Sequence, residues 1–184
     1  MNYIIKEFQV TDFCQIHKMY DSLSDRSKRY FHPKIFGFHD INILWFLNQF
    51  ALFFSSITFF KKILLRLYPK SIYFLVLAVN DEGVLGIAYL KIKRPFSNGF
   101  LASLGIAVID RLHGKGIGNR LLKILIYISK KWYIKKITLN VMEDNVGAIK
   151  LYKKFGFKEI ELVKDGDSWK GKKLDCIRMN FIFT

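Results

Sequence analysis

Cysteine is almost missing from this 184-residue chain: only Cys14 and Cys176 occur, far apart and without metal-ligand spacing. A disulfide framework and a cysteine-built metal site are thereby excluded, no metal is expected, and the sparing use of thiols suits a reducing, cytoplasmic setting. Carboxylates are scarce as well. Fifteen Asp and Glu stand against 30 Lys and Arg, leaving a formal charge of +15 and a sequence pI near 9.8. That excess asks for an anionic partner. The lysines are dispersed and no arginine-rich arm or nucleic-acid module signature occurs, so nucleic acid is not the expected partner. The first residues, Met1 to Glu7, hold an acidic residue and no long apolar run, which gives no sign of a signal peptide. Internal repeats and low-complexity linkers are also absent.

What is present reads as one folded domain. An apolar share of 51% with 24% charged residues is globular, and the length suits a single sizeable core. Tyr3 to Phe8 has the pattern of an opening strand. Thr11 is placed to cap a helix running to about Leu23, with Phe13, Ile16, Met19 and Tyr20 on its inner face. Ser24 to Pro33 reads as a second capped helix, ended before the proline, whose Arg26, Arg29 and His32 read first as solvated helix positions. Ile72 to Val79 and Val84 to Lys93 form a hairpin around Asn80 to Gly83. Lys158 to Lys164 and Lys173 to Phe183 form another antiparallel pair joined by a polar loop.

One segment stands apart. From Ile41 to Phe60 there is no charge, and Lys61, Lys62 and Arg66 follow. Such a length can span a bilayer. Asn42, Asn48, Gln49, Ser55, Ser56 and Thr58 lower its hydrophobicity, and a crossing here would put strands of one sheet on opposite sides of a membrane. No transmembrane span is expected. A buried helix pair, a homodimer surface and an in-plane peripheral membrane contact stay open for it.

The most informative stretch is Asp110-Arg-Leu-His-Gly-Lys-Gly-Ile-Gly-Asn-Arg-Leu-Leu122, a glycine-punctuated turn between an apolar strand, Phe100 to Ile109, and a helix. Leu121, Leu122, Leu125, Ile126 and Ile128 recur there at helical spacing. Glycines 114, 116 and 118 keep side chains away, so backbone N–H groups can close on an anion at the positive end of the helix. The turn lacks the Gly-Lys-Ser/Thr ending of a triphosphate loop and the Gly-x-Gly-x-x-Gly spacing of a dinucleotide fold. Glycines can also punctuate a turn for structural reasons alone. Lys115, Arg120 and Lys123 crowd the helix start, where an anionic ligand would relieve them.

Further on, Asn145-Val-Gly-Ala-Ile-Lys-Leu-Tyr-Lys-Lys-Phe-Gly-Phe157 puts Asn145, Ala148, Ile149, Tyr152 and Phe155 on one helix face, with Gly156 as a C-terminal stop. Together with His113-Gly-Lys-Gly-Ile-Gly118 and the strand Ala102 to Val108, this resembles the GNAT superfamily of acyl-CoA-dependent N-acyltransferases. The likeness covers residues from about 71 to 184 well and the first third in outline. It implies a mixed α/β fold over 1–184, with a mostly antiparallel central sheet splayed at its middle strands, helices on both faces, and an apolar substrate-side insertion at about 34–70.

The resemblance also implies acetyl transfer from acetyl-CoA to a primary amine. Backbone groups of Ile106, Ala107 and Val108 would pair with the pantetheine arm. The amides of His113, Gly114, Lys115, Gly116, Ile117 and Gly118 would cradle the pyrophosphate, with Asn119 and Arg120 alongside, and Asn145 would bond the cofactor arm. Tyr152 is the expected general acid, since a phenol stays protonated at neutral pH. Taken alone, Tyr152 reads better as a core-packing tyrosine on an amphipathic helix; the full Asn145 to Phe157 pattern reverses that reading. Two positions depart from the family: His113 replaces the usual Arg or Gln, and Ser103 stands where many members carry a glutamate. Glu143, Asp144, His32, His39 or a water chain are then candidates for the base. A small-molecule amine, an amino sugar among them, is the favoured acceptor. A protein lysine or N-terminal amine is the alternative, as is a non-catalytic acyl-CoA-binding regulatory module.

Overall fold

A computed structural model of the chain describes residues 2–31, 71–93 and 100–183. The expectations for His32, His39, the insertion at 34–70 and the uncharged segment 41–60 fall outside the described residues.

Among the described residues, seven strands form one sheet in the order β1-β2-β3-β4-β5-β7-β6. They are β1 (Ile4–Glu7), β2 (Ser71–Asn80), β3 (Gly83–Lys93), β4 (Phe100–Val108), β5 (Ile134–Met142), β6 (Lys158–Trp169) and β7 (Lys172–Ile182). Every neighbouring pair is antiparallel except β4 and β5. That parallel pair is short. It runs from Phe100↔Ile134 to Ser103↔Thr138 and then parts, so Leu104 to Val108 leave one edge of β4 without a ladder. The mixed, splayed sheet expected from sequence is thus present.

The helices among the described residues are α1 (Phe13–Asp21), α2 (Asp25–Tyr30), α3 (Ile117–Lys131) and α4 (Val146–Lys154). The period of two along β3 assigns them to faces. A Cβ added to Gly86 would lie 3.4 Å from Ile117 of α3. Tyr89, of opposite parity, meets the Phe31 ring just beyond α2 at 6.0 Å between centroids. Leu121, Leu122 and Leu125 of α3 are fully buried, and Ile16 and Met19 of α1 are buried against the sheet.

Two element ends differ from the sequence expectation. Thr11 does not cap α1. The N-cap is Asp12, after a 3-10 turn over Val10–Asp12, and the Asp12 carboxylate turns back to accept from Lys6 Nζ at 2.6 Å and the Gln9 amide at 2.9 Å. A buried carboxylate with a lysine in reach outcompetes a hydroxyl for the turn. Similarly, β6 does not end at Lys164. A register irregularity between Val163 and Asp167 lets it run on to Trp169, and Lys170–Gly171 alone makes the turn to β7. Asp165 and Lys170 accept left-handed φ values of 53° and 49° to do so. Ser24 does cap α2, its side chain accepting from the Ser27 amide, and the 80–83 hairpin is as expected.

Candidate functional site

The parting of β4 from β5 opens a cleft of about 570 Å³. Its walls come from β4, the turn after it, the start of α3, the loop before α4, and α2. Of the expected site residues, Ile106, Ala107, Val108, His113, Gly114, Gly116, Ile117, Gly118, Asn119, Asn145 and Tyr152 line it; Lys115 and Arg120 do not. Arg120 instead stacks on the Tyr3 ring at 4.9 Å, on the side of β1.

Backbone groups along β4 are divided by the ladder. The Ile109 amide donates to Leu85 O at 3.0 Å, and Ala107 pairs with Ile87 in the same register. Antiparallel alternation therefore directs the N–H and C=O of Ala107 toward β3, and those of Ile106 and Val108 toward the cleft. The Val108 carbonyl accepts from His113 Nε2 at 2.8 Å. That leaves both backbone groups of Ile106 and the Val108 amide facing the cleft. Ala107 lines the cleft, while its backbone groups face Ile87 of β3.

The glycine turn is divided as well. A 3-10 turn over Asp110–Leu112 takes the His113 amide to Asp110 O at 3.1 Å, and the Lys115 amide reaches Leu112 O at 3.2 Å. Those two N–H groups are spent within the turn. The first intrahelical donor of α3 beyond its cap is Arg120, to Gly116 O. Among the described residues, the amides of Gly114, Gly116, Ile117, Gly118 and Asn119 have no backbone partner, as the geometry of a helix start requires. Gly116, the N-cap, has φ 86° and offers no side chain to satisfy them. Only glycine adopts that left-handed value freely, so the bare amides follow from sequence. Together they form a concave row of donors at the positive end of a long helix.

On the facing wall, Asn145 N-caps α4, its Oδ1 accepting from the Ala148 amide at 3.2 Å. The other end of α4 is a Schellman turn: Phe157 N donates to Tyr152 O and Gly156 N to Lys153 O, with Gly156 at φ 92°. The hydrophobic contact of that motif is the Tyr152–Phe157 ring pair, centroids 5.5 Å apart. Tyr152 is thereby locked in place and almost wholly buried, and burial followed by the neighbouring Tyr89 pushes its phenol well above the usual range.

Tyr89 was not picked out from sequence. Its ring lies directly on Gly105, where an added Cβ would come within 2.5 Å of the ring carbon. This close approach brings its hydroxyl to the splay. Burial, with lesser contributions from Tyr73 and Asp167, raises its pKa to about 12. A glycine inside an apolar strand, opposite a tyrosine in register, was the available signal. Asp110 was also missed as a partner. It accepts from the Ser24 amide, the Ser24 hydroxyl and the Ser27 hydroxyl. Burial works against its charge, but these hydrogen bonds, helped by His113, outweigh it and hold the carboxyl at about 2.

Among the base candidates, Asp144 is engaged by Arg29 in an ion pair, Glu143 is exposed and outside the cleft lining, and Ser103 sits at the last position of β4 paired with β5. Arg26 donates to the Tyr30 hydroxyl at 2.9 Å. Cys176 is buried, and burial followed by Asp167, Asp175 and Glu143 pushes its thiol up to about 11. It is a thiol, and a poor nucleophile, at neutral pH. Among the described residues no group of three His, Cys, Asp or Glu is placed to hold a metal ion, and no helix is long and apolar enough to cross a membrane.

Comparison with known proteins follows the same lines. Residues 25–157 match the model of the acetyltransferase (GNAT) family. An L-amino acid N-acetyltransferase of Escherichia coli is 33% identical over 87 residues, which are 47% of this chain and 53% of that protein. A spermine/spermidine N(1)-acetyltransferase of Bacillus subtilis is 43% identical over 49 residues, 26% of this chain and 32% of that one. The chain thus spans about half or less of the length of these relatives. An acetyltransferase of Salmonella typhimurium, solved with its cofactor acetyl-CoA, superimposes with a TM-score of 0.67 at 16% identity, covering 99% of this chain and 94% of the other.

Proposed function

The chain belongs to the GNAT acetyltransferase family, and from that premise we propose that it moves an acetyl group from acetyl-CoA to the primary amine of a small molecule by direct attack. The observation that carries this is the row of bare amides at Gly114 and 116–119, opening on the same cleft as the free edge of β4 and Tyr152. The amides hold the diphosphate. Ile106 and Val108 offer strand-type hydrogen bonds to the extended pantetheine arm, and Asn145, whose Oδ1 is used in capping, offers its Nδ2 donor. Acetyl-CoA supplies an acyl group activated as a thioester.

Tyr152 then donates to the departing sulfur as the amine nitrogen forms its bond to the acyl carbon and the carbon–sulfur bond breaks. A phenol with a raised pKa is protonated at working pH, which is the state an acid must begin from. Neither Cys14 nor Cys176 lines the cleft, which supports direct attack over a cysteinyl acyl-enzyme. With serine at position 103, the ammonium proton is released to solvent, which favours acceptors whose amine is already partly neutral. The names of the two relatives point the other way, to amino acids and polyamines, whose amines are mostly protonated at neutral pH, and the acceptor panel below decides between the two.

The test is coenzyme A release, read with a thiol reagent, from acetyl-CoA and a panel of amino acids, polyamines and amino sugars. At least one amine should accelerate release. Tyr152→Phe should slow that rate about 10²-fold or more while acetyl-CoA still binds. No release with any amine sinks the enzyme reading, and an unchanged rate in Tyr152→Phe sinks the acid assignment.

A further inference from the structure

α2 is fastened at both ends, and its two fastenings lie on opposite sides of the splay. At its start, Asp110, just past the end of β4, accepts from the Ser24 amide at 3.0 Å, the Ser24 hydroxyl at 2.7 Å and the Ser27 hydroxyl at 2.6 Å. At its end, the Tyr30 hydroxyl donates to Asp144 O at 3.2 Å, and Arg29 pairs with the Asp144 carboxylate, just past the end of β5. The helix therefore bridges the open ends of the two strands that part after Ser103↔Thr138.

Its length fits the gap. From Ser24 to Tyr30 the helical rise is about 9 Å. Two strands with one extended chain between them stand about 10 Å apart. We propose that α2 is a strut that fixes the splay at the width of one extended guest, with Asp110 and Asp144 as its positioning residues. The inference rests on the acetyl-CoA reading and adds a division of labour to it. The strut governs the pantetheine arm, whose ladder hydrogen bonds form only over a narrow range near 3 Å. The amides at the start of α3 govern the diphosphate.

The division can be measured. Wild type, Asp110→Asn, Ser27→Ala, Asp144→Ala and Tyr30→Phe are each titrated calorimetrically with acetyl-CoA and with 3′-phospho-ADP, which keeps the diphosphate and lacks the arm. Loosening either end should weaken acetyl-CoA about tenfold for the two aspartate variants and less for the milder pair, with 3′-phospho-ADP unchanged. The mild variants keep the question open to measurement if an aspartate variant melts. Equal losses for both ligands overturn the strut, because Asp110 would then only shape the phosphate turn. So does unchanged acetyl-CoA binding in the folded variants. A wild type that binds neither ligand sinks the acetyl-CoA reading, whereas a wild type that binds both beside variants that match it sinks the strut alone.

Discussion

At the scale of single residues, the site is shaped by what Gly105 omits. The Tyr89 ring occupies the place of its missing side chain, with the hydroxyl 2.9 Å from where a Cβ would stand. Gly105→Ala should therefore destabilise the fold by about 1–3 kcal/mol, the usual cost of overpacking. Because the clash is with one ring, Tyr89→Ala should cost less in the Gly105→Ala background than in wild type, a coupling that a double-mutant cycle in denaturant reads directly. Additive effects would mean that the ring does not fill that space. The same burial sets a pH signature. Tyr89, at about 12, and Tyr152 both have phenols raised above the unfolded value of about 10, so folding favours their protonated forms. Their stability contribution is complete below pH 10 and is lost as pH rises through the folded values. Melting temperature should be level from neutral pH to about 8.5, dip slightly above that as the buried Cys176 thiol, raised to about 11, adds its own loss, and fall more steeply above 10, where Tyr89→Phe should flatten the fall. A steep alkaline loss beginning near pH 8 would contradict the assignment.

At the scale of elements, α4 shows one residue serving two purposes that can be separated. Asn145 caps the helix through Oδ1 and lines the cleft, and its Nδ2 is the donor proposed for the cofactor arm. Asn145→Asp keeps a capping acceptor and places a negative charge near the helix start, so stability should hold; Asn145→Ala should lose about 1 kcal/mol. Both should weaken acetyl-CoA, measured by calorimetry beside thermal melts. If Asn145→Asp binds as wild type does, the amide donor has no part in the cofactor site. This helix was largely legible in sequence, because its cap, its apolar face and its Gly156 stop are local features within a few turns. So was the glycine turn. What sequence did not reveal were partners distant along the chain: Asp110 with Ser24 and Ser27, Arg29 with Asp144, and the ring of Tyr89 over Gly105. Nor could it show that the His113 and Lys115 amides close back on their own turn, since only the coordinates of the 3-10 turn direct those donors. The continuation of β6 past Lys164 was hidden for a related reason. A polar run with a bulge has no alternation to read, and pairing with β7 decides it.

At the scale of the whole molecule, the formal charge of +15 is spread over the chain, while the proposed guest is a polyanion held mainly by uncharged amides. The field and the contact are then separable. Lys115 is exposed and outside the cleft lining, and Arg120 lies on Tyr3, so the proposed reading gives neither cation a direct grip on the diphosphate. Attraction must come from many charges acting at a distance, and such attraction is screened by salt. The Debye length falls from about 30 Å at 0.01 M ionic strength to about 8 Å at 0.15 M, which removes most of the contribution of charges across the molecule. Association with acetyl-CoA should therefore slow markedly over that range, whereas dissociation, set by the amides and the strand edge, should change little. Lys115→Ala should lower the association rate by less than about twofold, because it deletes one charge of many. Stopped-flow measurements across the salt series read both rates. A salt-independent association rate, or a Lys115→Ala variant that loses most of the affinity through dissociation, would place the recognition of the diphosphate in that side chain and not in the backbone of the turn.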